Sequence, residues 1–171
     1  MNLEKRQDMV NTSLNILIDF DGTCIPRIPE DGYCEYDTGA VRVLKLLKQS
    51  GHKLILWTCR NNSRNNPFNY INGKFKTETS LEEAERWFIE NEIELDGVNE
   101  VEGEEDIIGY ARKALGDLLI DDTALGVPLI EGDIDYYSKT TESMVKNYHT
   151  YCVDWVKVEE ILVNSGVITV F

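Results

Sequence analysis

Three apolar runs that stop abruptly in polar residues constrain this chain more than any other feature. Leu14 to Thr23 reads LNILIDFDGT and ends on Asp19 and Asp21. Lys53 to Thr58 reads KLILWT and ends on a threonine, and Leu118 to Asp122 reads LLIDD and ends on two acids. Runs this apolar suit strands covered on both faces, as in a parallel sheet. Two carboxylates one residue apart at the end of a buried strand repel each other, and burying either without compensation is costly. Such a pattern demands balancing positive charge at that sheet edge.

The stretches between these runs read as helices. Asp37 can cap a segment carrying Ala40, Val43, Leu44 and Leu47 on one face, ended by Gly51. Ser80 and Glu83 have capping-box spacing ahead of a helix whose inner face is Leu81, Ala84 and Phe88. A short strand is expected near Gly97–Asn99 and a further helix over 106–114. Trp155, Val158, Ile161 and Leu162 share one face of a last helix, Gly166 closes it, and VITVF reads as a final strand. Strands alternating with helices imply right-handed βαβ crossovers and an α/β fold with a central parallel sheet. With 171 residues, no internal repeat and no linker, the chain is expected to be one domain, residues 1–12 forming an extension.

One insertion interrupts this alternation. Asn61 to Thr79 is polar and long for a strand-to-helix connection, and FNYI-NG-KFKT within it carries the Asn-Gly signal of a two-residue hairpin. It follows a strand's C-terminal end, the face on which open α/β sheets bind ligands. The tail between Ile134 and Tyr151 receives no element, and its tyrosines read as packing or interface residues. His52, after a helix-ending glycine, is expected at the surface, and neither it nor His149 has metal-ligand spacing.

Charge and targeting narrow the partners. Acidic residues outnumber basic ones 31 to 17, a net charge of −14, which argues against nucleic acid and anionic membranes, both of which need a basic footprint. No apolar run reaches the roughly 18–20 residues that span a bilayer. The first dozen residues lack the apolar core of a signal peptide, so the expected location is cytoplasmic. Cys24, Cys34, Cys59 and Cys152 have no zinc spacing and are expected as thiols.

The strand ends deliver Asp19 and Asp21, then Thr58 and Arg60, then Asp121 and Asp122 to one sheet edge. Carboxylates from two strands form an oxygen donor set suited to Mg²⁺. A divalent cation, with Lys113 ahead of LLIDD, would supply the missing positive charge.

DFDGT, the threonine ending LILWT, Lys113 and LLIDD resemble, in that order, the four motifs of the haloacid dehalogenase-like (HAD) superfamily, most of whose members are phosphotransferases. The TCR stretch at Thr58–Arg60 and IDDTALGVPL at Ile120–Leu129 are similar to a small bacterial and phage-type subgroup of HAD hydrolases. The resemblance covers Leu14 to Ile130 and the last helix. It implies a three-layer Rossmannoid, HAD-like fold around the parallel sheet. The connections after Cys24 and after Glu100 are too short for a large cap domain. It further implies an Mg²⁺-dependent phosphomonoester hydrolase. Asp19 would be the nucleophile forming an aspartyl-phosphate, Asp21 general acid and then base, Thr58 a phosphoryl contact, and Lys113 a neutralising cation. The metal would be held by Asp19, the Asp21 carbonyl and Asp121, with Asp122 a further ligand or a partner for Lys113. Gly22, Thr23, Cys59 and Arg60 would complete the substrate-binding set, Arg60 equally well as a structural salt bridge. The expected substrate is a small phosphorylated molecule. Nucleotides or nucleic-acid 3′ ends are the alternative substrates, and an enzymatically silent HAD-fold binding protein is the alternative of another class. A phospho-receiver is disfavoured because Lys113 precedes the terminal acid pair. The aromatic hairpin and tail are compatible with self-association.

Overall fold

The apolar runs become the interior of one sheet. The computed structural model describes residues 12–29, 32–63, 70–71, 74–75, 78–100 and 115–168. Strand β1 (Asn15–Ile18) lies between β3 (Lys53–Leu56) and β7 (Leu118–Ile120), with β6 (Gly97–Val98) outside β3. Every pair in this order, β6-β3-β1-β7, is parallel. Ile16, Ile18, Leu54, Leu56 and Ile120 share one buried face. On the other face Leu17 and Ile55 are buried too, but Leu119 on β7 is 44% exposed, so the cover expected on both faces is complete over β1 and β3 and not over β7. Register aligns the strand ends. Ile18 stands opposite both Leu56 and Ile120, so the three strands finish at one level. Their next residues must emerge side by side.

Helix α1 (Ala40–Gln49) buries Ala40, Val43, Leu44 and Leu47, the expected face, and Gly51 follows it with φ 85°. Its N-cap is Gly39, and Asp37 accepts a hydrogen bond from the Gly39 N–H at 2.8 Å instead of capping the helix itself. Helix α2 (Ser80–Glu90) begins with a capping box one residue earlier than expected. Thr79 accepts from the Glu82 N–H, and the Glu82 carboxylate accepts from the Thr79 N–H. Ser80 is therefore buried inside the first turn, and Glu83 is released to face the sheet edge. Helix α3 (Trp155–Asn164) is capped by Asp154 and buries Trp155, Val158 and Leu162, whereas Ile161 is exposed. Val167 and Ile168 are buried in a bend, not a strand. His52 is buried too, contrary to expectation. Its Nδ1 accepts from the Leu14 N–H and its Nε2 meets the Val167 carbonyl at 2.7 Å.

A second sheet forms where the sequence pattern assigned nothing. Strands β8 (Leu129–Ser138) and β9 (Ser143–Val153) pair antiparallel, and β2 (Gly32–Tyr33) adds to β8, giving the order β2-β8-β9. Ile134, Tyr136 and Ser138 alternate inward, and Ile134 and Tyr136 join Ile28 in a small second core. Tyr136 meets Tyr148 edge-on at 5.1 Å. Within the polar insertion, β4 (Tyr70–Ile71) pairs with β5 (Lys74–Phe75), Ile71 opposite Lys74, in the register a two-residue turn requires. The expected N-terminal extension to residue 11, the helix over 106–114 with Lys113, and the end of VITVF lie outside the described residues.

The result is an α/β domain with a central four-stranded parallel sheet and, among the described residues, three helices, Rossmannoid in outline. Among those residues no helix is long and apolar enough to cross a membrane.

Candidate functional site

The level strand ends open into a cavity of about 260 Å³. Asp19, Asp21, Thr58, Cys59, Arg60, Asp121 and Asp122 all line it. Gly22 and Thr23 are not part of its lining, and Lys113 falls outside the described residues.

The loop after β1 is wound tightly around one carbonyl. The N–H groups of Thr23, Cys24 and Ile25 all donate to Phe20 O. Gly22 takes φ 86°, and a Cβ there would lie 2.4 Å from Asp122 Oδ2, so glycine alone lets the two strand ends close up. From the other side, the Val153 N–H donates to Gly22 O at 2.9 Å and Trp155 Nε1 to Thr23 O at 2.8 Å. The junction of β9 and α3 thus clamps the loop.

Thr23 is fully buried and its hydroxyl ties two acids together. Oγ1 donates to Asp19 Oδ2 at 2.9 Å and accepts from the Asp122 N–H at 3.0 Å. This places the side chain under the site instead of in the cavity. Asp19 itself is pushed up to about 7, chiefly by burial. Hydrogen bonds from the Phe20 N–H and Thr23 pull the other way, and the charges of Asp121 and Asp21 add to the rise. Asp122 is also raised by burial, against the pull of Arg27 and of a hydrogen bond with Tyr151. Asp121 accepts from both the N–H and the hydroxyl of Thr123, at 2.8 and 2.5 Å.

The cations answer the charge problem unequally. Arg60 binds Asp21 through both oxygens, and only 9% of its side chain is exposed. Its Nη1 also donates to Ser80 O at 3.3 Å and lies 3.7 Å from Glu83, which is itself paired with Lys139 at 2.7 Å. Arg60 is therefore held in a buried ion pair while also lining the cavity. Arg27 contacts the Asp21 carbonyl at 3.2 Å and Asp122 Oδ2 at 3.1 Å. Sequence reasoning missed Arg27 and Tyr151. Arg27 stands in an irregular loop, and Tyr151 belongs to a strand left unassigned. The signal was a basic residue a few positions beyond an acid pair that needed one.

Thr58 lines the cavity from the end of β3. Its N–H donates to Asn99 Oδ1 at 2.9 Å, and its hydroxyl accepts from the Arg60 N–H at 3.2 Å. Asn99, with φ 56°, also donates its N–H to Leu56 O, joining the ends of β3 and β6. Cys59 is an exposed thiol in the wall.

Asp19, Asp121 and Asp122 each offer one oxygen, all within 4.8 Å of one another. Hard oxygen donors at this spacing, around a half-buried acid without a direct ion pair, fit a divalent cation such as Mg²⁺.

No family model matches the chain, and no curated protein matches it. A solved structure described as that of a conserved protein coded by a locus from Bacteroides thetaiotaomicron is 30% identical over 67% of this chain and 80% of that one, with a TM-score of 0.48. No activity comes with that likeness.

Proposed function

We propose that the chain is a divalent-cation-dependent phosphomonoester hydrolase built on a HAD-like fold, with Asp19 as nucleophile. The observation that carries this reading is the convergence of Asp19, Asp121 and Asp122 oxygens within 4.8 Å, in a cavity that Thr58 and Asp21 also line. Asp19 and Asp121 or Asp122 would hold the cation, which would supply Lewis-acid neutralisation of the phosphoryl charge.

The chain's own residues do the rest. An Asp19 oxygen attacks phosphorus, the bond to the leaving oxygen breaks, and Asp21 delivers a proton to that oxygen. Asp21 then takes a proton from water, the water oxygen attacks the aspartyl-phosphate at phosphorus, and Asp19 and inorganic phosphate are released. Arg60 sets where Asp21 waits, occupying one lone pair on each oxygen and leaving the others for the proton transfers. Thr58, in the cavity lining, offers a hydroxyl for a phosphoryl oxygen. The HAD resemblance gives Lys113 the remaining neutralising role.

A phosphomonoester panel run in Mg²⁺ and in EDTA, on the wild type and Asp19→Asn, tests the reading. Turnover should require Mg²⁺ and fall on the order of 10³-fold or more in the variant. Activity that survives Asp19→Asn would remove Asp19 as nucleophile, and equal activity in EDTA would remove the metal.

A further inference from the structure

Arg27 holds one of the atoms that the metal reading needs, and it holds it loosely. Its Nη1 bridges Asp122 Oδ2 at 3.1 Å and the Asp21 carbonyl at 3.2 Å. Asp122 offers an oxygen to the three-acid cluster, so the guanidinium stands where a second positive charge would have to enter. The two side chains differ sharply in exposure: 51% for Arg27 against 1% for Asp122.

The backbone of Arg27 is fixed while its side chain is not enclosed. Its N–H donates to Tyr151 O at 2.9 Å, and its carbonyl accepts from the Thr150 hydroxyl, so β9 anchors the residue on both sides. Arg60 provides the contrast. It is bidentate, stacked over Phe20 and 9% exposed. Of the two basic residues lining the cavity among those described, only Arg27 can rotate without breaking a buried bidentate pair. Tyr151 also lies close enough to influence Asp122, so Arg27 is not the only group facing that carboxylate.

We propose that Arg27 is an exchangeable counter-ion of this site: it neutralises Asp122 in the metal-free chain, yields to the divalent cation, and then turns its guanidinium to the phosphoryl group. The inference rests on the phosphohydrolase reading. A divalent ion among three carboxylates outcompetes one half-exposed arginine, because its two charges replace the contact that the guanidinium gives up. Once freed, a planar fork of N–H donors matches the oxygens of a phosphoryl group.

Calorimetric titration of the full chain tests both halves, with Mg²⁺ alone and then with inorganic phosphate at saturating Mg²⁺. Arg27→Gln should bind Mg²⁺ about tenfold more tightly than wild type and phosphate about tenfold more weakly. Mg²⁺ affinity equal to or weaker than wild type would overturn the exchange, and undiminished phosphate binding would overturn the phosphoryl contact. Wild type that binds Mg²⁺ beside an Arg27→Gln that binds it no better sinks this inference alone. Failure of both proteins to bind Mg²⁺ sinks the metal reading and the inference with it. A measurement on unmutated protein guards against a variant that does not fold. The Arg27 side-chain NMR signals should shift along the same Mg²⁺ titration curve, and signals that stay fixed as Mg²⁺ saturates would overturn the exchange.

Discussion

Arg60 grips both carboxylate oxygens of Asp21, Nε on Oδ2 at 2.8 Å and Nη2 on Oδ1 at 2.7 Å, while its guanidinium carbon lies 4.7 Å over the Phe20 ring. Phe20 is the residue between the two acids, so one short motif supplies the acid and the surface that orients its partner. The cation comes from the loop after β3, which reaches this position because β1 and β3 end level. Asp21 and Asp122 thus have arginine partners, whereas among the described residues Asp19 makes no direct ion pair and feels the charge of Arg27 only at longer range.

Loss of Arg60 should expose how much the fold depends on this pair. Arg60→Met leaves Asp21 and Glu83 without the cation between them, and breaking a buried pair on one side typically costs about 3–5 kcal/mol. Urea denaturation should show a destabilisation of that order. Asp21→Asn in the Arg60→Met background should cost far less than Asp21→Asn alone, because the unpaired charge is already removed. Additive costs in that double-mutant cycle would mean that the pair is not coupled.

Thr23 joins the two strand ends through one hydroxyl, and Thr23→Val removes it at nearly constant volume. The Asp122 N–H would lose its buried acceptor, a loss worth about 1–3 kcal/mol of stability. Asp19 would lose a hydrogen bond that lowers its pKa, so the carboxyl should titrate higher still. Thr23→Ser keeps the hydroxyl and should retain most of both effects. Denaturation and carboxyl-resolved NMR titration of the two variants measure this. Equal stability of Thr23→Val and wild type would show that the hydroxyl bridge carries no weight.

The parallel sheet was legible because its strands are short apolar runs cut off by acids or a threonine, and that pattern reports burial directly. Pairing between β1, β3 and β7 is then required to cover each run. What sequence left unread was the β8–β9 hairpin. Its alternation is present, with Ile134, Tyr136 and Ser138 inward, but acids and a glycine dilute the apolar positions into something resembling a loop. That omission hid half of the electrostatics. Arg27 and Tyr151 meet Asp122 only because β9 docks on the loop after β1, a contact between distant parts of the chain that no local spacing encodes. His52 misled for a related reason. A histidine after a helix-ending glycine reads as exposed until the segment at Val167 covers it.

Asp19 also gives the metal-free protein a stability that depends on pH. Its pKa is raised from 3.8 to about 7, mainly by burial, so between those values the folded chain holds a proton that the unfolded chain has released. A folded state that binds more protons loses stability as pH rises, so this contribution is complete below pH 3.8 and gone above about pH 7. Asp19→Asn carries no such titration. In EDTA, wild type and variant should be close near about pH 4, and wild type should be the less stable by roughly 2–4 kcal/mol near about pH 8. Divalent cation at the higher pH should stabilise wild type more than Asp19→Asn, because the variant keeps only Asp121 and Asp122 as charged ligands. Urea titrations of both proteins across this range measure the gap, and a gap that stays constant from acid to alkaline pH would show that desolvation does not raise the Asp19 carboxyl.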